Sequence, residues 1–179
     1  ECLYNPWTNR RLQQWCRNAK TVDNELYLVC LILHIQRHFL TYGIGLKQVC
    51  DVAVMWRRAS LDRNRVASLL RSLHAERFSR LLFGFIAIHL GSVEDFPLPP
   101  VTEGKGFELL NDVILHEGYN LKMEQDLLAG SKSWAMARIV SNAAFWTKRC
   151  CRVFRIMPGE TCCFLLYKAM ERMKKVLPE

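Results

Sequence analysis

The sequence predicts an all-α fold: a compact bundle of about seven to eight helices with a proline-rich internal loop. Apolar side chains recur at a spacing near 3.6 residues along almost the whole chain of 179 residues, which is the period of an α-helix. No segment shows the alternation of β-branched and polar residues that is typical of a strand. Half of the residues are hydrophobic, which is enough to bury a core at this length.

The first two predicted helices begin at polar residues. Thr8 and Asp23 are the candidate N-caps, because their side-chain oxygens can accept hydrogen bonds from the first free backbone N–H groups. The second helix is apolar around nearly its whole circumference, which is typical of a helix at the centre of a core. It is expected to stop at Gly43, because glycine readily adopts the left-handed conformation that ends helices.

Three further helices are predicted before a proline-rich segment. They span about 44–58, 62–73 and 75–90, and Asp62 is the candidate N-cap of the middle one. Positions 97, 99 and 100 are then proline, which lacks the backbone donor that a helix interior needs. We therefore expect a long loop or linker over 92–104.

The remaining chain is predicted to form a short helix, a loop and two longer helices. The short helix ends near Gly118, and one long helix covers about 131–156. Pro158 opens the last helix, which runs to about 177, because a residue in the first turn needs no backbone N–H.

The loop over 92–104 also shapes the predicted domain organisation. We predict one helical domain over residues 1–179, in which this loop joins two sub-parts, 1–91 and 105–179. The chain opens with Glu1 rather than methionine, so we expect it to be either a trimmed form or the later part of a longer protein.

The eight cysteines indicate a reducing compartment. They lack the CxxC spacing of a zinc site, and the adjacent pairs at 150–151 and 162–163 are poorly placed to bridge each other within a helix. We interpret them as reduced thiols that act as small hydrophobic side chains on apolar helix faces in a cytoplasmic protein. The sequence predicts neither a secretory signal nor a transmembrane segment.

The formal net charge of +8 is concentrated near the C-terminus. Residues 131–179 hold ten Lys and Arg against three Asp and Glu, whereas the first 130 residues are nearly balanced. Five basic residues of the long helix fall within about one third of its circumference: Arg138, Lys148, Arg149, Arg152 and Arg155. A solvated basic face is the simplest interpretation, and nucleic acid, another polyanion or an anionic membrane surface are the alternatives.

Two histidines of the second helix share one face. His34 and His38 are four residues apart, a spacing that can hold a metal. The glutamate of a metalloprotease motif is missing, since Ile35 follows His34, and a third ligand would have to be Asp51 of the next helix. We favour the interpretation that these side chains hydrogen-bond each other and the backbone, and we predict no metal site. Contact with a substrate held by a neighbouring domain is the third alternative.

The segment Gly43–Asp51, GIGLKQVCD, is the most distinctive in the chain. It contains GxG without the GxGxxG and the preceding strand of a dinucleotide-binding site. Backbone N–H groups at the start of the new helix, helped by Lys47, could bind an anion. The alternative is an ordinary glycine-rich turn in which Lys47 and Asp51 form a surface ion pair.

The sequence contains none of the common catalytic motifs. We find no nucleophile elbow, no P-loop and no HExxH pair, and the carboxylates are scattered without a spacing that suits acid–base or two-metal catalysis. We therefore assign no catalytic residue to this chain.

The stretch from His34 to Asp51 resembles a known family. Its histidine-rich helix, then Phe39, then GIGLKQVCD, is similar to the H…HF…GIGLRQLxD pattern of an uncharacterised nucleotidyltransferase family of the polymerase-β type, common in Bacteroidetes. Leu73–Phe78 is similar to that family's LGLxxF turn. The sequence departs from the pattern at Lys47, where the family usually has arginine.

Two later segments continue the resemblance. His116–Asn120 lies where the family has a GNFG-like segment, although Tyr119–Leu121 replaces its Asn-Phe-Gly. Pro158–Glu160 is similar to the P-x-E start of the family's final helix.

The resemblance implies that this chain is the helical C-terminal part of a nucleotidyltransferase. In that family a preceding catalytic core carries the Gly-Ser and Asp-x-Asp residues that hold Mg²⁺ and a nucleoside triphosphate, and this sequence lacks them. The implied partner is that N-terminal core of the same protein, against which this part would pack to line the nucleotide or acceptor cleft.

The candidate substrate-binding residues in this interpretation are His34, His38, Lys47 and Asp51, with Lys47 contacting phosphate. The alternative function is a non-enzymatic helical module that binds a polyanion, such as nucleic acid or an anionic membrane, through its basic C-terminal helices.

Overall fold

The computed structural model describes residues 3–19, 23–41, 43–91, 95–117, 146–147 and 149–176. Within these ranges the chain forms helices and connecting loops, with no strand. The predicted all-α class is therefore confirmed. No helix in the described ranges is long and apolar enough to cross a membrane.

Helix α1 spans Pro6–Asn18 and is capped differently from the prediction. Asn5, not Thr8, is the N-cap: its side-chain Oδ1 accepts a hydrogen bond from the backbone N–H of Trp7 at 3.0 Å. Pro6 at the first helical position explains the shift, because its fixed φ favours starting the helix there. Thr8 instead lies buried within the first turn.

Helix α2 spans Asn24–Thr41, and ten of its 18 residues are buried. Asp23 accepts from the backbone N–H of Leu26 at 2.9 Å, as predicted for its N-cap. Leu28, Ile32, Leu33 and Phe39 are fully buried, in agreement with the apolar circumference of this segment.

Helices α3 (Leu46–Arg58), α4 (Arg63–Ser72) and α5 (Glu76–His89) follow. Both α3 and α4 pack against α2, and each also contacts α5. Asp62 caps α4 by accepting from the N–H groups of Asn64 and Arg65, as the sequence predicts.

The turn between α4 and α5 contains a residue with unusual backbone geometry. His74 has a φ of 55°, in the left-handed region that favours glycine. In the LGLxxF pattern that this turn resembles, glycine stands at the same position. The backbone N–H of Ala75 bonds to the carbonyl of Leu70 at 2.9 Å, so the bonding of the helix end fixes this conformation.

The proline-rich loop is pinned to α5 and does not act as a free linker. The N–H of Val101 donates to the carbonyl of Arg80 at 2.9 Å, and Nε of Arg80 donates to the carbonyl of Pro99 at 3.0 Å. A Cβ on Gly84 would lie 1.9 Å from the carbonyl oxygen of Val101. Glycine at this position therefore allows the loop backbone to approach the helix directly.

The remaining helices are α6 (Lys105–Asp112), residues 149–154 (α7) and α8 (Pro158–Val176), and α6 continues into a π-helical turn, Val113–Glu117. The predicted loop over 118–130 and the first part of the predicted helix over 131–156 lie outside the described residues. Pro158 opens α8 as predicted.

The buried side chains form one cluster that draws on both sides of the proline-rich loop. Phe39, Phe83, Phe107 and Phe164 all belong to it. The division of the chain into one or two structural units stays a prediction.

The described cysteines are free thiols. Cys150 is buried, whereas Cys16, Cys151 and Cys162 are exposed. The interpretation of the cysteines as small hydrophobic side chains on apolar faces is therefore wrong for these exposed three.

Candidate functional site

The corner between α2 and α3 is built by two glycines with different roles. Gly43 has a φ of 90°, and its N–H bonds to the carbonyl of His38 at 2.9 Å, which is the bonding of a left-handed helix end. Gly45 is the N-cap of α3, and its N–H donates to Oε1 of Gln48 at 3.2 Å. Ile44 between them is fully buried and anchors the corner in the core.

His34 and His38 are in contact at this corner. Their Nε2 atoms are 3.1 Å apart, and the rings meet edge to face at 4.4 Å between centroids. In this hydrogen bond one imidazole donates and the other accepts. The predicted contact between the two histidines is therefore present.

The His38 ring is the less accessible of the two and has a perturbed pKa. Burial, then the charge of His34 and then that of Arg37, lower the pKa of His38 below its usual value of 6.5. At neutral pH the His38 imidazole is therefore a neutral hydrogen-bonding group and adds no positive charge to the corner.

Lys47 and Asp51 lie on the exposed surface of α3. The structure places Lys47 in the first turn of the helix and Asp51 four residues later. Among the described residues neither side chain has a hydrogen bond or an ion pair, so the surface ion pair of the alternative interpretation is not formed. The Lys47 ammonium is consequently available to an external anion beside the positive end of the α3 dipole.

The metal alternative finds no support at this corner. No group of three His, Cys, Asp or Glu side chains that could hold a metal ion occurs among the residues described. Asp51 thus does not complete a ligand set with His34 and His38.

The basic face predicted on the long helix is only partly exposed. Arg138 and Lys148 lie outside the described residues. Arg152 and Arg155 are exposed, and Arg152 has its guanidinium 3.6 Å from the Asp112 carboxylate.

Arg149 was predicted to lie on the basic face, but the structure buries it. Only 7% of it is exposed. Its Nε donates to the carbonyl of Leu40 at 3.1 Å, and a second guanidinium nitrogen donates to the carbonyl of Phe39. These carbonyls lie in the last turn of α2. The helix dipole favours a cation at this end of a helix. A helical-wheel argument misses this role, because it does not show which neighbouring helix end the face meets.

Glu160 has a structural role that the sequence indicated only in part. It lies in the first turn of α8, as expected for an acidic residue, but it also binds the start of α1. Its carboxylate accepts from the backbone N–H of Tyr4 at 2.8 Å, from the N–H of Asn5, and from the Thr8 hydroxyl at 3.3 Å. These partners are more than 150 residues away in the sequence, so spacing gives no signal for them.

A comparison with family models found a match in the N-terminal half. Residues 3–91 match the uncharacterised nucleotidyltransferase family. The matched segment is just under half of the chain and contains α1 to α5 with the whole corner. Comparisons with curated proteins and with solved structures found no match.

The family match confirms the resemblance over residues 3–91. It ends before the segments at His116–Asn120 and Pro158–Glu160, whose resemblance stays a prediction. The polymerase-β type and the assignment to a C-terminal part of a longer protein also stay predictions.

Proposed function

We propose that this chain is a non-catalytic helical region of a nucleotidyltransferase, and that its α2–α3 corner lines the nucleotide or acceptor cleft of a catalytic core elsewhere in the same protein. The observation that carries the proposal is the family match over residues 3–91. Its supporting geometry is that Lys47 and Asp51 within the matched segment are exposed and uncommitted.

The chemistry of the corner suits a phosphate-bearing ligand. Lys47 carries a full positive charge at the start of α3, where the free backbone N–H groups also favour anions. The exposed His34 imidazole can form a hydrogen bond to a polar group of the ligand. Asp51 carries the acceptor that a ribose hydroxyl or an ammonium of the core would use.

The reaction itself would depend on groups that this chain lacks. In this proposal the core supplies the carboxylates that hold Mg²⁺ and the nucleoside triphosphate, and the corner contributes binding and orientation. We therefore expect no nucleotide transfer by the 179-residue chain with Mg²⁺ and ATP. Turnover by the purified chain would contradict the assignment of catalysis to the core.

The binding role is tested with a pair of matched lysine variants. Lys47→Gln removes the charge at the first turn of α3, and Lys105→Gln removes an exposed lysine at the first turn of α6. We expect the Kd for magnesium–ATP to rise by about fivefold in Lys47→Gln, which corresponds to about 1 kcal/mol for an exposed charge contact, and to stay unchanged in Lys105→Gln. Equal affinities for the two variants would show that the corner does not contact the phosphates.

The identity of the parent protein offers an independent check. The proposal requires a Gly-Ser and an Asp-x-Asp segment upstream of these residues in the same polypeptide. If the full-length protein carries no such segment, the assignment to a nucleotidyltransferase of the polymerase-β type is wrong.

A further inference from the structure

A groove outside the α2–α3 corner concentrates arginine side chains. One depression of about 500 Å³ lies between the α4–α5 turn and the start of α8. A second, of about 490 Å³, lies between that turn and α1. The two share Asn5, Thr8 and His74 in their walls, so they adjoin each other, and we call the two together the arginine groove. It shares no lining residue with the corner.

One wall of the arginine groove is a single face of α1. Trp7, Arg10, Arg11 and Gln14 line it, and their spacing of three to four residues places them on the same side of the helix. Trp7 is 79% exposed, the highest value among the large apolar side chains of the described residues. Such an aromatic ring beside two cations has no role in the core.

The opposite wall supplies three more arginines, and each is held in place by a contact to the protein. Arg71 lies 3.7 Å from the Glu76 carboxylate, Arg77 donates to the carbonyl of Arg155, and Arg80 donates to the carbonyl of Pro99. A guanidinium carries five N–H groups, so these contacts leave most of the donors free. The arginines are therefore partly ordered before any ligand arrives.

Arg11 links the two walls. Its guanidinium donates to the carbonyl of Ser72 at 2.9 Å, which holds α1 against the end of α4. His74, exposed in the floor between them, retains its left-handed φ of 55°. A non-glycine residue in this conformation costs stability, and such outliers concentrate at functional sites.

The acidic residues of the arginine groove do not neutralise it. Five arginines and two glutamates line it. The Glu160 carboxylate is buried, and its oxygens accept the hydrogen bonds from Tyr4, Asn5 and Thr8. Glu76 faces Arg71 alone among the described residues. A surplus of positive charge thus faces solvent along the groove.

We propose that the arginine groove binds single-stranded nucleic acid, with guanidinium groups contacting successive phosphates and Trp7 stacking on a base. Cationic grooves with an exposed aromatic ring are the general means of holding single strands without reading their sequence. The two walls together extend over both depressions, which suits a chain of phosphates better than a single phosphate group. The inference does not depend on the α2–α3 corner or on a catalytic core.

The first test measures the binding of a fluorescein-labelled dT12 oligonucleotide to the 179-residue chain by fluorescence anisotropy at low and moderate salt. We expect Trp7→Ala to weaken binding by about 5- to 150-fold, the range for loss of one stacked base. Tyr27→Ala, which removes an aromatic ring that is 57% exposed on α2, is the matched control and should bind as the wild type does. Unchanged binding by Trp7→Ala would overturn the stacking role.

The second test uses the charge. Arg10→Gln should lower the slope of log K against log salt concentration by about 0.7, the value for one phosphate contact on a single strand. Arg58→Gln, which removes an exposed arginine at the end of α3, should leave the slope unchanged. Equal slopes in both variants would show that the strand is held elsewhere.

Competition experiments separate the strand from smaller ligands. We expect unlabelled dT12 to displace the probe and ATP to displace it only at far higher concentration. If ATP competes as well as dT12 per molecule, the groove is a mononucleotide site and the proposal is wrong. Absence of dT12 binding at low salt would also overturn it. Lys47→Gln should not affect dT12 binding, so failure here and failure of the proposed function are distinguishable.

Discussion

Single residues decide how closely the elements of this chain approach each other, and Gly84 is the clearest case. A methyl group at this position would meet the backbone of Val101 rather than a movable side chain. Gly106, in the first turn of α6, would place its Cβ at an ordinary 3.5 Å from the Leu81 side chain.

These two glycines make a matched pair of predictions. Gly84→Ala should lower the free energy of unfolding by about 1–3 kcal/mol, because overpacking forces the loop off the helix. Gly106→Ala should leave stability unchanged or raise it by about 0.5–1 kcal/mol, since alanine favours the helix. Urea unfolding followed by circular dichroism measures both, and similar losses in the two variants would contradict the close approach.

The histidine pair gives a prediction about protonation. His34→Gln should raise the pKa of His38, because the charge of His34 lowers it, yet the value should remain below 6.5, because burial is the larger cause. The His38 ring proton followed by NMR across pH 5 to 8 measures the change, and His89→Gln is the control that removes an imidazole elsewhere. A His38 pKa that does not move in His34→Gln would show that the rings do not interact in solution.

His74 lines the arginine groove, and its left-handed backbone conformation costs the fold stability. His74→Gly should raise the free energy of unfolding by about 1 kcal/mol, because glycine adopts the left-handed conformation without steric cost. Thermal unfolding measures this gain. A loss of stability in His74→Gly would mean that the imidazole itself stabilises the turn.

At the scale of elements, α7 is joined to α2 by a buried arginine. Arg149→Met should lower the free energy of unfolding by about 1–3 kcal/mol, because two buried carbonyls at the end of α2 lose their donor. Arg152→Met, on the same helix but exposed, should change it by less than about 0.5 kcal/mol. Chemical denaturation measures both changes. Equal losses of unfolding free energy in the two variants would show that Arg149, like Arg152, belongs to the solvated basic face.

The helices themselves were largely predictable from the sequence. The N-caps Asp23 and Asp62, the glycine at the end of α2 and Pro158 at the start of α8 are local signals, and each is used as predicted. Thr8 failed as a cap because Asn5 followed by proline is a stronger local signal.

The contacts between elements were less predictable, because they depend on packing. The prolines predicted a loop over 92–104. They gave no signal for its attachment to α5, which depends on the close approach of the Val101 backbone to Gly84. A helical pattern shows that Arg149 is a basic residue on one face, but its role depends on the hydrogen bond to the Leu40 carbonyl at the end of α2. The arginine groove combines side chains from α1, α4 and α5, which no single helical pattern brings together.

At the scale of the whole molecule, Glu160 joins the start of α8 to the start of α1 and makes stability depend on pH. Burial raises its pKa above the usual 4.5, against the opposing effects of the Tyr4 and Asn5 N–H groups, the Thr8 hydroxyl and Arg37. The folded protein therefore keeps this proton at pH values where the unfolded chain has released it. The resulting stability is present below pH 4.5 and is lost as pH rises through the folded-state pKa.

Glu160→Gln tests this linkage. In the wild type, Glu160 should make a negative contribution to the slope of unfolding free energy against pH just above pH 4.5. This contribution should vanish in the variant, because glutamine does not titrate. Urea unfolding at a series of pH values from 4 to 7 measures the slopes. If wild type and Glu160→Gln show the same pH dependence over this range, the buried carboxylate is not the titrating group.

The central proposal is that the α2–α3 corner, which lies in the segment that matches a nucleotidyltransferase family, contacts the phosphates of a nucleotide. The most direct measurement is a map of backbone amide shifts by NMR as magnesium–ATP is added to the 179-residue chain. The claim predicts that the largest shifts fall within residues 43–51 and that Lys47→Gln reduces them. Shifts confined to the arginine groove, or no shifts at all, would contradict it.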